Sequence, residues 1–124
     1  MASRNRTAGH NFERECVKKL KIIGFTEAVT ARSESRNLDN LGVDIANTHP
    51  YIIQCKNKVN NPNYHSIIED MPEKLGIPVI FHRKTSKSNK GRFITKGEYA
   101  IIKMIDFLEL LEKLKEYESC TKTI

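Results

Sequence analysis

Apolar residues recur at helical spacing through "NFERECVKKLKII", where Phe12, Cys16, Val17, Leu20 and Ile23 form one face. The pattern predicts a helix over residues 10–23, stopped by Gly24. At about 100° per residue, Glu13 falls inside the apolar arc beside Val17 and Leu20, whereas Glu15 falls well outside it. Glu13 is thus a carboxylate aimed toward the core, and Glu15 a solvated one. "TEAVTARS" reads as a strand leading into the polar loop "ESRNLDNLG". "GVDIAN" and "YIIQCKN", joined by "THP", read as a hairpin. Alternation sets Ile52, Gln54 and Lys56 on one face and Tyr51, Ile53 and Cys55 on the other, so Asp44 on the partner strand could join Gln54 and Lys56.

In "NNPNYHSIIEDM", Asn61 is the expected N-cap and Pro62 the first helical residue, with Tyr64, Ile67, Ile68 and Met71 as the apolar stripe and Pro72 as the stop. "IPVIFHR" reads as a buried strand and "EYAIIKM" as another. "DFLELLEKLKEY" reads as a helix that Asp106 and Glu109 cap as a pair. The predicted order is helix, three strands, helix, two strands, helix. It implies a single α/β domain over residues 1–124, with a central mixed sheet of about five strands flanked by helices.

Composition adds a direction. The chain has 124 residues, with 21 Lys and Arg against 15 Asp and Glu, a net charge of +6 that suits a polyanionic partner such as nucleic acid. Residues 83–96 carry six cations and no acid, and are expected to form a basic hairpin loop that contacts phosphate. Residues 1–9 are expected to be a flexible basic arm bearing Arg4 and Arg6. Cys16, Cys55 and Cys120 show no C-x-x-C spacing, and the four histidines no ligand spacing, so neither a disulfide framework nor a zinc site is indicated. With no signal-like apolar segment and no run of membrane-spanning length, the expectation is an intracellular protein without a membrane partner.

An acid between Val43 and Ile45, and a Gln and a Lys after Tyr51, Ile52 and Ile53, sit in runs that look buried, where an unpartnered charge is costly. Two carboxylates (Glu13, Asp44) and one amide oxygen (Gln54) make a hard, all-oxygen donor set suited to Mg²⁺, with Mn²⁺ as a substitute. Lys56 beside them could steady charge developing on a phosphoryl oxygen. The blander readings are a snorkelling Glu13, a cross-strand Asp44–Lys56 ion pair, and a solvated hairpin tip.

"GVDI" followed by "IIQCKNK", behind a helical Glu, resembles the PD-(D/E)XK nuclease superfamily, in the Gln-x-Lys form. The layout over residues 10–115 is similar to the archaeal and phage Holliday junction resolvases. The resemblance implies a restriction-endonuclease-like fold, with Glu13, Asp44 and Gln54 as metal ligands and Lys56 as the catalytic lysine. It also implies a catalytic serine in the loop before Asp44, for which Ser33 and Ser35 both stand, Ser33 preferred. A homodimer that cuts four-way DNA junctions follows from it, and the short chain suits a phage or archaeal source. Arg32, Arg36, Arg83, Lys84, Lys87, Lys90, Arg92 and Lys96 are the expected DNA contacts. Gln54 departs from the Glu or Asp of most resolvases. The alternatives are a restriction-type or nick-processing nuclease, a non-catalytic DNA-binding descendant, and a structural protein with a buried ion pair.

Overall fold

A computed structural model describes the backbone of residues 2–122 and the side chains of residues 6–121. In chain order the elements are α1 (Ala2–Ile22), β1 (Val29–Thr30), α2 (Ala31–Glu34), α3 (Arg36–Asn40), β2 (Ile45–Ala46), β3 (Tyr51–Lys58), α4 (Tyr64–Asp70), a 3₁₀ turn (Glu73–Leu75), β4 (Ile77–Lys87), β5 (Phe93–Ile102) and α5 (Met104–Lys122). The strands form one five-stranded mixed sheet in the order β1-β2-β3-β4-β5. β3 and β4 are parallel and the other neighbours antiparallel. The α/β class and the mixed sheet therefore stand as the sequence pattern implied.

The alternation in β3 divides the core in two. Ile53 and Val79 meet Phe12, Cys16, Val17 and Leu20 of α1, with Tyr51, Cys55 and Phe81 packed beside them. Ile52 meets Val43 and Met71, with Leu38 and Ile67 alongside. Both faces of the sheet's centre are thus buried, as two packed layers require. A parallel neighbour for β3 demands a crossover, and α4 with the 3₁₀ turn supplies it between Lys58 and Ile77.

Several element boundaries differ from the sequence reading. Residues 2–9 are helical and extend α1, rather than forming an arm, although Ser3, Asn5, Thr7 and Gly9 are weaker helix formers than Ala. Arg4 lies outside the described side chains. Only Val29 and Thr30 of "TEAVTARS" pair as strand, and "ARSE" turns into α2. Asn63, not Asn61, caps α4, accepting from Ser66 N–H, and Pro62 precedes the cap as a buried residue. α4 ends at Asp70, just ahead of Pro72. α5 begins at Met104, so Asp106 stands within its first turn instead of capping it.

The largest difference concerns residues 83–96. β4 runs to Lys87 and β5 starts at Phe93, leaving a tight turn closed by Ser88 N–H on Arg92 O at 2.7 Å and Gly91 N–H on Ser88 O at 2.9 Å. Gly91 takes φ +79°, which glycine adopts without a Cβ penalty. Ladder hydrogen bonds do not depend on side-chain polarity. A Lys- and Ser-rich stretch can therefore continue a hairpin whose inner half is already registered by Val79↔Ile102 and Phe81↔Ala100.

Candidate active site

β2 and β3 pair only at Ile45↔Ile53. Beyond that point the strands part, and Asp44 occupies the fork. Its backbone N–H donates to Ile53 O at 2.8 Å, and its Oδ2 accepts the backbone N–H of Cys55 at 2.8 Å. The carboxylate thus stands in for the missing ladder partner. Burial pushes the Asp44 carboxyl up to about 6; the Cys55 hydrogen bond opposes this, and the neighbouring charges of Glu13 and Asp39 add to it.

Gln54 lies on the face of β3 that carries Ile52, and its neighbour across the parallel ladder is the fully buried Ile80. Its Nε2 donates to Gly42 O at 2.8 Å, which orients the amide. The opposite atom, Oε1, is buried and accepts no hydrogen bond. A Cβ on residue 42 would come within 2.7 Å of Gln54 Nε2, and Gly42 takes φ +84°, so two independent constraints favour glycine there. Lys56 follows on the same face of β3, half-buried, and its charge lowers the Asp44 pKa only as the smallest contribution. Among the described residues no ion pair joins Asp44 to Lys56.

Glu13 is buried on α1, as its place in the apolar arc required. Its Oε2 accepts from Arg32 Nε at 3.1 Å and Nη2 at 3.0 Å. Among the described residues the ion pair at this site is therefore Glu13–Arg32, with Glu13 buried and Arg32 half-buried, rather than Asp44–Lys56. Ser33 is exposed on α2, with its hydroxyl donating to Thr30 O at 2.9 Å. Ser35 caps α3, accepting from Leu38 N–H.

Among the described residues, no three His, Cys, Asp or Glu side chains gather to hold a metal ion. Glu13 comes from α1 on the Ile53 face of β3 and Gln54 stands on the opposite, Ile52 face, so a cation held by Glu13, Asp44 and the Gln54 amide together would have to lie at the fork between the two faces. The donor set fits on three counts: the oxygens are hard, Gln54 Oε1 lacks a partner, and the half-buried Asp44 carboxylate makes no ion pair among the described residues. Arg32 would have to share Glu13 with the cation.

The eight expected DNA contacts divide into two groups. Arg32 is held by Glu13. Arg83 stacks over the Phe12 ring at 4.6 Å and pairs with Glu98 at 2.8 Å and with Glu15. Lys84 donates to Val59 O at 2.7 Å. Hydrogen bonds from Arg83 and then Lys19 hold the Glu98 carboxyl below its usual range. In contrast, Arg36, Lys87, Lys90, Arg92 and Lys96 are exposed, and among the described residues none of their side chains makes a hydrogen bond or ion pair. Four of these five lie on the outer half of the β4–β5 hairpin.

Residues that the sequence pattern did not single out also shape this end of the sheet. Gly42 cradles Gln54, and only its place two residues before Asp44 hints at that role. Asn57 has a buried Oδ1 without a partner and lines a cavity with Ala8, Lys58, Val59, Thr85 and Phe93. Cys55 and Cys16 meet in the core as thiols. Among the described residues no helix is long and apolar enough to cross a membrane. Comparison with known proteins returns no match to a family model, to a curated protein or to a solved structure.

Proposed function

We propose that this protein is a divalent-metal-dependent DNA endonuclease of the PD-(D/E)XK type, acting on four-way junctions as a homodimer. The observation that carries the reading is Gln54 Oε1, a buried acceptor with no donor, on the strand whose Cys55 N–H holds the half-buried Asp44 carboxylate, which makes no ion pair among the described residues. Leaving such groups unmet costs about 1–3 kcal/mol for the amide alone. A bound hard cation meets both needs.

In this reading Glu13, Asp44 and Gln54 hold Mg²⁺ or Mn²⁺, which supplies Lewis-acid polarisation of the scissile phosphodiester. Asp44 is kept in place by Cys55 N–H and Gln54 by Gly42 O, so both are preorganised by backbone. Lys56 offers a cation to the developing negative charge on a phosphoryl oxygen. The free cations of the hairpin tip, Lys87, Lys90, Arg92 and Lys96, contact phosphates away from the cut. Support for the restriction-endonuclease-like fold is the order of helix, antiparallel strands, crossover helix and parallel strand around the Asp and Gln-x-Lys positions.

The test is cleavage of a synthetic four-way junction and of a linear duplex in Mg²⁺, Mn²⁺ or EDTA. The expected result is metal-dependent nicking of the junction, lost in Asp44→Asn and Lys56→Ala while binding persists. Equal cutting of the linear duplex would point instead to a restriction-type or nick-processing enzyme. The Glu13–Arg32 pair favours a second reading, a non-catalytic DNA-binding module, because a guanidinium already neutralises one of the two acids. That module binds DNA with a steep salt dependence and cuts in neither metal.

A further inference from the structure

The register of the sheet sets Lys56 of β3 beside His82 of β4, and His82 beside Tyr99 of β5. Directly paired residues point to the same side of a sheet, so these three side chains form one row on the Ile52 face. At about 4.8 Å between neighbouring strands, the root of Tyr99 stands about 10 Å from that of Lys56. At this end of the row lies a cleft of about 410 Å³. It is bounded by Asn61 and Tyr64, where the chain enters α4, and by His82, Lys84 and Tyr99 of the hairpin. His82 is buried, with its Nε2 3.2 Å from Lys58 O, which ties the ring down in the sheet.

The two tyrosines of the cleft are open to solvent, Tyr64 at 56% and Tyr99 at 57% exposure, although aromatic rings are favoured in buried places. Tyr99 does not stand straight up from its strand. A Cβ on Gly97, two residues back on the same face, would meet the Tyr99 Oη at 2.6 Å and its Cε2 and Cζ at 2.9 Å. The phenol end of the ring thus lies over the Gly97 backbone, which supports it from one side. A ring held in this way is a platform on which another flat ring can stack.

The surroundings say which flat ring. No acid among the described residues lines the cleft, and Lys84 lies at its edge with Nζ anchored on Val59 O at 2.7 Å. The unpaired cations Lys87, Lys90, Arg92 and Lys96 follow along the same hairpin. Asn61 is exposed, and among the described residues its amide makes no hydrogen bond, which leaves a donor and an acceptor for the edge of a base. An aromatic peptide would use the rings and leave the cations unmet, whereas a nucleobase arrives with phosphates attached. We propose that this cleft is a subsite for one unpaired nucleobase of the DNA strand that crosses Lys56, stacked on Tyr99 and Tyr64. The subsite rests on the nuclease reading for which strand arrives, and it adds what that strand must offer: a base free of its partner, as branched DNA does.

The experiment is binding of the full chain in EDTA, by fluorescence anisotropy, to three DNA probes. They are a duplex with one bulged adenine, the same duplex with an abasic residue in the bulge, and a fully paired duplex. Native protein should bind the adenine bulge about 10-fold more tightly than the abasic one, as one base stacked on an aromatic ring provides. Tyr99→Ala and Tyr64→Ala should each lower that preference and Tyr99→Phe should keep it, with affinity for the paired duplex unchanged and thermal melts confirming the fold. Native protein that treats the two bulges alike overturns the proposal, and so does a preference that survives either alanine substitution. Junction cleavage in Mg²⁺ is measured on the same samples. A base preference carried by the tyrosines without cleavage keeps the subsite and removes the nuclease, whereas cleavage without a base preference does the reverse.

Discussion

The side chain of Asp44 continues the β-ladder that its own strand abandons: Oδ2 accepts the Cys55 N–H at 2.8 Å, from one residue before Ile45 to two residues after Ile53, the pair at which β2 and β3 meet. The carboxylate is thereby fixed at the fork without any cation facing it in an ion pair. The structural role and the proposed catalytic one coincide in a single group.

This predicts an unusual pH dependence of stability. With the folded-state pKa raised to about 6 against an ordinary value of 3.8, the native state binds the Asp44 proton more tightly than the unfolded chain. The stabilisation is fully present below about pH 4 and is lost as pH rises through about 6, amounting to roughly 3 kcal/mol at most. Asp44→Asn keeps an acceptor for Cys55 and removes the charge. At pH 8 it should be more stable than the native protein by about 1–2 kcal/mol, and the difference should shrink toward pH 4. Urea unfolding at pH 4, 6 and 8 measures this, and a variant less stable at pH 8 contradicts it.

Metal binding has a readout that does not require cleavage. At pH 7.5, Mg²⁺ at ten times its dissociation constant should stabilise the native protein by about 1.4 kcal/mol. Asp44→Asn should lose that increment. Thermal melts with and without Mg²⁺ check it, and equal shifts in both proteins would place the cation elsewhere.

Gln54→Glu tests the one uncharged ligand position. The change removes the Nε2 donor to Gly42 O and sets a carboxylate against that carbonyl. In EDTA the variant should lose about 2 kcal/mol of stability. With Mg²⁺ the added negative charge should tighten binding severalfold, so the metal-induced stabilisation should exceed that of the native protein. Loss in EDTA without a gain in Mg²⁺ would show that Gln54 is only a structural hydrogen-bonding residue.

Arg32 and Arg83 should behave as structural cations, unlike the hairpin tip. Arg32→Ala leaves Glu13 buried and unpaired and should cost about 3 kcal/mol. Arg83→Ala removes the contact with Phe12 and the bonds to Glu15 and Glu98, and should cost about 1–2 kcal/mol. The double substitution Lys90→Ala with Arg92→Ala should leave unfolding within about 0.5 kcal/mol of native. It should lower DNA affinity and reduce the salt slope by about 2. Paired urea melts and salt titrations of DNA binding separate the two groups.

Periodicity determined much by itself. The stripe Phe12, Cys16, Val17 and Leu20 placed Glu13 against the core, and the alternation of β3 placed Gln54 with Ile52 and apart from Ile53 and Cys55. Both follow from the fixed geometry of helix and strand, which requires no knowledge of neighbours. Tertiary structure decided the partners. Glu13 meets Arg32, Asp44 meets the Cys55 backbone, and Gln54 meets Gly42, because those contacts depend on where β2 leaves β3 and where α2 turns. Residues 83–96 read as a basic hairpin loop, yet most of them are strand, for the same reason. The polar outer half of the hairpin is held by backbone pairing begun at Val79 and Ile102, a cooperative ladder that side-chain character does not report. Local spacing thus set which way each side chain points, while long-range backbone pairing set what it finds there.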